Sequence, residues 1–157
     1  MSRAFLRQET LASNNTPVTT RLGLVSAPYA ATEIGKFVKN GAESAHILCA
    51  AGDAIEGYVA GVEAATANGF GIGTVQQRDT KFVTFDGLQA TPGTGVVPIG
   101  AYVVCGTVVA KDTALPGYPK VCRATTEPPA GPYAWRVVSL GSAGTGAVGT
   151  TGLIERV

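Results

Sequence analysis

Apolar positions in this chain come in short bursts cut by glycine and proline, with one long exception. Residues 96–110, VVPIGAYVVCGTVVA, carry no charge. Val, Ile, Tyr and Thr suit a pleated, buried surface, and Pro98 and Gly106 trim the run to strand length, so the pattern predicts a core strand over residues 99–105. Residues 45–50 and 55–64 read as two more strands joined by a turn at Gly52-Asp53. A short helix is the alternative for this alanine-rich stretch, but Gly52, Gly57 and Gly61 interrupt it too often. Asn68-Gly69, between EGYVAGVEAAT and FGIGTVQQR, is a two-residue hairpin signal. KFVTF at 81–85 alternates and ends in Asp86-Gly87, a second hairpin-type turn. Residues 111–119 read as a loop, 120–124 as a strand, 126–132 as a stiff turn and 133–140 as a strand. The glycine-rich 141–152 reads as a flexible connector before a terminal strand or tail.

Residues 1–30 have a different texture. SNNTPVTT is polar and β-leaning, LGLV follows and APY closes the segment, with Pro17 and Pro28 barring a continuous helix. The expectation is an extended N-terminal arm over 1–30 and a β domain over 31–157. An arm that cannot bury itself locally lies on a neighbour, either the rest of the fold or another subunit. Within the domain, IGKFVK (34–39) and IGAYVV (99–104) share the pattern IG-x-aromatic-V. Each is followed after a gap by an apolar pair with cysteine, in HILCA and KVCRA, which suggests an internal duplication.

Composition narrows the class. At 157 residues the chain fits one domain that buries roughly 70% of its unfolded surface. Its 45% hydrophobic and 15% charged residues argue against disorder, and 21 Gly with 9 Pro disfavour helices. The fold class expected is all-β: a single Gly-rich antiparallel β-sandwich or jelly-roll-like barrel with an extended N-terminal arm. Twelve basic residues against 11 acidic give a net charge of +1 and no field to gather phosphate or anionic lipid, so nucleic acid is not indicated as a partner. Arg3, Arg7 and Arg21 make the arm mildly basic and read as solvated. No window approaches the roughly 18 apolar residues of a membrane span, and no leader-like apolar segment opens the chain. Cys49, Cys105 and Cys122 lack CxxC spacing and read as small core residues in a reduced compartment, the cytoplasm, with a disulfide between two of them as the lesser reading.

Chemistry is sparse. Gly144-x-Gly146-x-x-Gly149 matches a dinucleotide fingerprint, but that motif works only ahead of a helix, and eight residues remain after it. It reads as a loop. His46 is the sole histidine and, between Ala45 and Ile47, reads as a packed residue with one hydrogen bond. Glu56 and Glu63, an odd number of residues apart, fall on opposite faces of a strand. No nucleophile elbow, phosphate loop or zinc spacing is present, so the sequence points to no enzyme, no cofactor and no metal. Tyr118, Tyr133 and Trp135 cluster with prolines in two loops that could serve as contact surfaces or cap the ends of the fold.

The run GDAIEGYVAGVEAATANGFGIGTVQQRDTKFVTFDG, followed by IGAYVVCG and the valine-rich WRVVSLG, resembles the decoration or cement proteins of tailed-phage heads. The resemblance covers residues 34–140, about two thirds of the chain, and the arm is longer than in the most compact members. It implies a structural virion protein on the capsid exterior, made in the bacterial host cytoplasm. Such a protein binds the major capsid protein, spans adjacent subunits and stabilises the expanded head. It also implies self-association, with trimer favoured over dimer, and no cofactor. The expected capsid or subunit contacts are Arg3, Phe5, Leu6, Arg7, Arg21, Leu22 and Leu24 in the arm, and Tyr118, Tyr133 and Trp135 in the loops. Two other classes remain: a carbohydrate- or host-surface-binding β module stacking ligand on those three aromatics, and a hydrolase with an unrecognised site.

Overall fold

The computed structural model describes residues 18–24, 27–29, 31–63, 71–107, 118–131 and 133–157. Among them the chain forms twelve strands: β1 (Val18–Leu24), β2 (Ala27–Pro28), β3 (Phe37–Asn40), β4 (Ala45–Leu48), β5 (Gly57–Glu63), β6 (Ile72–Gln76), β7 (Thr80–Leu88), β8 (Thr91–Pro92), β9 (Tyr102–Cys105), β10 (Lys120–Arg123), β11 (Trp135–Ser139) and β12 (Thr151–Arg156). Among the described residues the only helical pieces are 3-10 turns at Ala31–Glu33 and Ala42–Ser44. Within these same residues, glycine spaced every few residues and β-branched side chains between disfavour helix propagation, and the all-β expectation holds.

The strands close into two rings. In the first, β1 pairs with β4 and β6, β4 with β3, β3 with β5 and β5 with β6, while β2 extends β1 as a short hairpin. In the second, β7 pairs with β10 and β12, β10 with β9, β9 with β11 and β11 with β12, with β8 as the hairpin extension of β7. These are two five-stranded barrels, here barrel 1 and barrel 2, with one strand order. Each contains one parallel pair, β1–β4 and β7–β10, where a wholly antiparallel sheet was expected. The chain reverses twice between those strands, so it returns in its original direction. Ring closure also consumes the strand edges that would otherwise be open to other chains.

The duplication suggested by IGKFVK and IGAYVV runs through the whole ring. Gly35 N–H donates to Val59 O (2.7 Å) and Val59 N–H to Lys36 O (3.0 Å). In barrel 2, Gly100 N–H donates to Val137 O (2.8 Å) and Val137 N–H to Ala101 O (3.0 Å). Leu22 N–H reaches Gly71 O and Phe85 N–H reaches Thr150 O, both at 2.9 Å. The bulge between Val59 and Gly61 on β5 recurs between Val137 and Ser139 on β11. Leu22, Val38, Val59 and Val75 fill barrel 1, and their counterparts Phe85, Val103, Val137 and Ile154 fill barrel 2, with larger side chains at Phe85 and Ile154. Between Phe85 and Gly87, barrel 2 carries one extra residue, Asp86, where the β7–β10 register slips.

The barrels share a buried junction. Phe37, Cys49 and Ile55 of the first half lie in the same apolar cluster as the core of barrel 2, and the Trp135 indole N–H donates to Ile55 O (3.1 Å). Only residues 77–79 separate β6 from β7, and Arg156 Nη1 donates to Gln77 O (2.8 Å) across them.

Several local expectations change. The central strand begins at Tyr102 rather than residue 99, because Ala101 N–H donates to Pro98 O (3.2 Å) and closes a turn over Ile99-Gly100. Asp86-Gly87 is not a hairpin turn: Gly87 pairs with Pro92 and Leu88 with Thr91, so the chain reverses at Gln89-Ala90. Of the expected terminal strand or tail, the strand is what forms: β12 is a ring strand between β11 and β7. Asn68-Gly69 and residues 111–117 lie outside the described residues, although β5 and β6 flank the first in antiparallel pairing.

Candidate interaction surface

The residues expected to make contacts are dispersed. Arg3, Phe5, Leu6 and Arg7 lie outside the described residues. The described stretch Val18–Leu24 does not extend away from the domain, since it is the strand that closes barrel 1 against β6 and β4. Tyr29 is anchored too, its hydroxyl accepting from Leu48 N–H (2.6 Å). Arg21 binds its own barrel, with Nη1 donating to Glu43 O (2.9 Å) and Nη2 3.3 Å from the Glu43 carboxylate. Leu22 is wholly buried and cannot contact a partner, because alternation along β1 turns it into the barrel. Leu24 ends the strand opposite Ala27.

The three aromatics also separate. Trp135 is 1% exposed and belongs to the core, its N–H consumed by Ile55, so it is neither a contact residue nor a stacking platform. Tyr133 has the Arg156 guanidinium 3.2 Å over its ring. Tyr118 stacks on Phe82 with ring centroids 5.6 Å apart and planes at 29°. Phe82, which projects from β7 and is 54% exposed, is an aromatic the sequence reading passed over.

The polar interior offers little open chemistry. His46 is buried, with Nδ1 3.0 Å from Thr20 Oγ1, and its Nε2 makes no hydrogen bond and stands 3.7 Å from Glu56 Oε1. Asn40 holds the Glu56 carboxylate, donating its backbone N–H to one oxygen and its side-chain amide to the other, both at 2.8 Å. Glu56 lines a cleft of about 300 Å³ with Lys39, Asn40, Asp53, Ala54, Ile55 and Tyr133. Lys39 and Asp53 pair there at 2.6 Å, and that hydrogen bond, outweighing a small desolvation effect, holds the lysine pKa above its ordinary value. Lys39 and Asp53 thus satisfy each other, and Asn40 satisfies Glu56. Gly146 packs against the backbone of Val97, and the segment after Gly149 is β12 rather than a helix, so the glycine motif is a packed loop. Among the described residues no group of three or more His, Cys, Asp or Glu gathers to hold a metal, and no helix is long and apolar enough to cross a membrane.

What stands out instead is a repeated apolar tip. Lys36 N–H donates to Glu33 O (3.1 Å) and Ala101 N–H to Pro98 O (3.2 Å), making the same four-residue turn in each barrel. Gly35 (φ +89°) and Gly100 (φ +83°) hold its third position in the left-handed region that a type II turn needs. Its second position is isoleucine both times, Ile34 and Ile99, at 41% and 61% exposure. Beside Ile99, Val96 is also exposed and bridges Ala147, which brings exposed Val148 next to it. The tip of barrel 1 is flanked by the Glu33–Lys36 ion pair at 2.6 Å. The IG-x-aromatic-V repeat contained this signal, since a glycine required at positive φ after an isoleucine places that isoleucine at a turn tip. No family model matches this chain, and neither the curated proteins nor the solved structures contain a match to it.

Proposed function

We propose that this chain is a structural decoration, or cement, protein of a tailed-phage head. In this reading it binds the outside of the major capsid protein shell, spans adjacent subunits and stabilises the expanded head, without catalysis or cofactor. It is made in the host cytoplasm and resides on the virion exterior, as a homotrimer in preference to a homodimer. The observation that carries the reading is the pairing of Ile34 with Ile99. One exposed apolar tip, presented from one turn in two copies of one barrel, suits a partner surface that itself repeats, as a shell of many identical subunits does. Two modest contacts on a joined pair of barrels reinforce each other, because the second forms at high effective concentration. Closed rings and near-neutral charge fit a rigid brace, and the resemblance of residues 34–140 points the same way.

Variants at the tips test it. Ile34→Asp and Ile99→Asp change exposed side chains and leave the fold intact; each weakens retention on purified heads, and the double variant loses it. Wild-type retention of the double variant would contradict the reading. A second reading, a carbohydrate- or host-surface-binding module, is favoured by the exposed Phe82–Tyr118 stack. Under it Phe82→Ala abolishes glycan binding while head association is never seen.

A further inference from the structure

Two of the three cysteines meet where the barrels join. Cys49 follows β4 and enters a tight turn in which Asp53 N–H donates to Ala50 O (3.1 Å) and Ala50 N–H to the Asp53 carboxylate (2.6 Å). Cys105 ends β9 and is stitched to the same turn: Gly52 N–H donates to Cys105 O (2.8 Å) and Cys105 N–H to Asp53 O (2.9 Å). The Cys49 thiol is directed at the next carbonyl, Ala54 O, at 3.8 Å. The two residues therefore approach consecutive carbonyls of one short segment. Both are buried in one apolar cluster, at 4% and 5% exposure. Cys122 does not belong to this pair. Val121 stands opposite Cys105 and Cys122 opposite Val104, so Cys122 faces the other side of the sheet, where its thiol points at Asp86 O (3.6 Å).

We propose that Cys49 and Cys105 form a disulfide that staples barrel 1 to barrel 2 when the protein meets a small-molecule disulfide oxidant such as oxidised glutathione. One protein thiolate attacks a sulfur of the oxidant, releases one glutathione thiolate and leaves a mixed disulfide. The second protein thiolate attacks the protein-side sulfur of that bond and releases the other glutathione. Two protein thiols thus lose two hydrogens, and one oxidised glutathione becomes two reduced molecules. The bond closes a loop containing all of β5 to β9, so it restrains the unfolded chain strongly. Hydrogen bonding to Cys105, then burial, push the Cys49 thiol above its ordinary pKa, so thiolate is scarce in the folded protein and closure is fastest during folding.

The test is refolding from urea in a glutathione buffer weighted to the oxidised form, followed by peptide mapping. The expected product has one intramolecular bond joining the Cys49 and Cys105 peptides, an intact mass lower by two hydrogens and a single thiol titratable in denaturant. Its thermal midpoint rises by roughly 5–15 °C and falls back on reduction. Cys122→Ser keeps the crosslink and Cys105→Ser loses it. A bond to Cys122, glutathione adducts in its place, or three free thiols in the refolded wild type would overturn the proposal.

Discussion

Gly152 stands in barrel 2 where Gly73 stands in barrel 1, each pressed against the backbone carbonyl that follows the strand bulge, that of Ser139 in one case and Gly61 in the other. A Cβ on Gly152 would lie 2.6 Å from Ser139 O and against the Phe85 ring; one on Gly73 would meet Gly61 O and the Leu22 side chain, which is the counterpart of Phe85. Neither backbone carbonyl can yield without breaking the ring. Gly152→Ala and Gly73→Ala are each expected to destabilise the fold by about 1–3 kcal/mol, read as a lower urea midpoint. An unchanged midpoint in both would show that the rings close less tightly than described.

Asp86, the residue barrel 2 has in excess, accepts from Thr107 N–H (2.8 Å) and lies 3.6 Å from Lys120 Nζ. Burial by itself would raise its pKa, but the Thr107 hydrogen bonds and the Lys120 charge outweigh burial and hold it below the ordinary 3.8. Its folded value being depressed, its contribution to stability is present above pH 3.8 and is lost as pH falls through the lower folded value. Asp86→Asn should cost about 1–3 kcal/mol at neutral pH. The gap to wild type should shrink as unfolding is measured below pH 3.8. A gap constant with pH would show that the ion form is not what matters.

The strands were legible from the sequence where glycine spacing and β-branched residues coincide, as in β4, β5, β10 and β11. Ring closure was not, because it depends on pairings such as β1–β6 between segments some fifty residues apart. The second copy of the barrel was visible in IGKFVK and IGAYVV and faintly in HILCA and KVCRA, while two of the equivalent core positions hold different residues, Leu22 against Phe85 and Val75 against Ile154. Leu22 was misread because it lies in a segment whose polar start suggested an arm. Trp135 was misread because neighbouring prolines suggested an exposed loop, although an indole with a partner for its N–H is readily buried.

Trp135 is the only tryptophan and reports on the junction directly. Its native fluorescence should be blue-shifted and should move red in one transition with far-UV signal. Trp135→Phe removes the bond to Ile55 O and leaves that carbonyl unpaired, lowering stability by roughly 1–3 kcal/mol. A red emission maximum in the native protein would contradict burial at the junction.

Truncation separates arm from barrel. Because β1 begins at Val18, deleting residues 1–16 leaves every described strand of both rings in place. Deleting residues 1–25 removes β1 and should abolish the cooperative unfolding of barrel 1. If the longer deletion melts like the full chain, β1 is dispensable and the closed ring is wrong.

The most direct measurement of the proposed role is the amount of this chain on phage heads. The tagged protein is expressed in cells producing the parent phage, heads are purified on a gradient, and the chain is quantified against the major capsid protein. A fixed stoichiometric ratio, lowered by Ile34→Asp and lost in the Ile34→Asp, Ile99→Asp double variant, is the result this account predicts. A chain that stays wholly in the soluble fraction contradicts it.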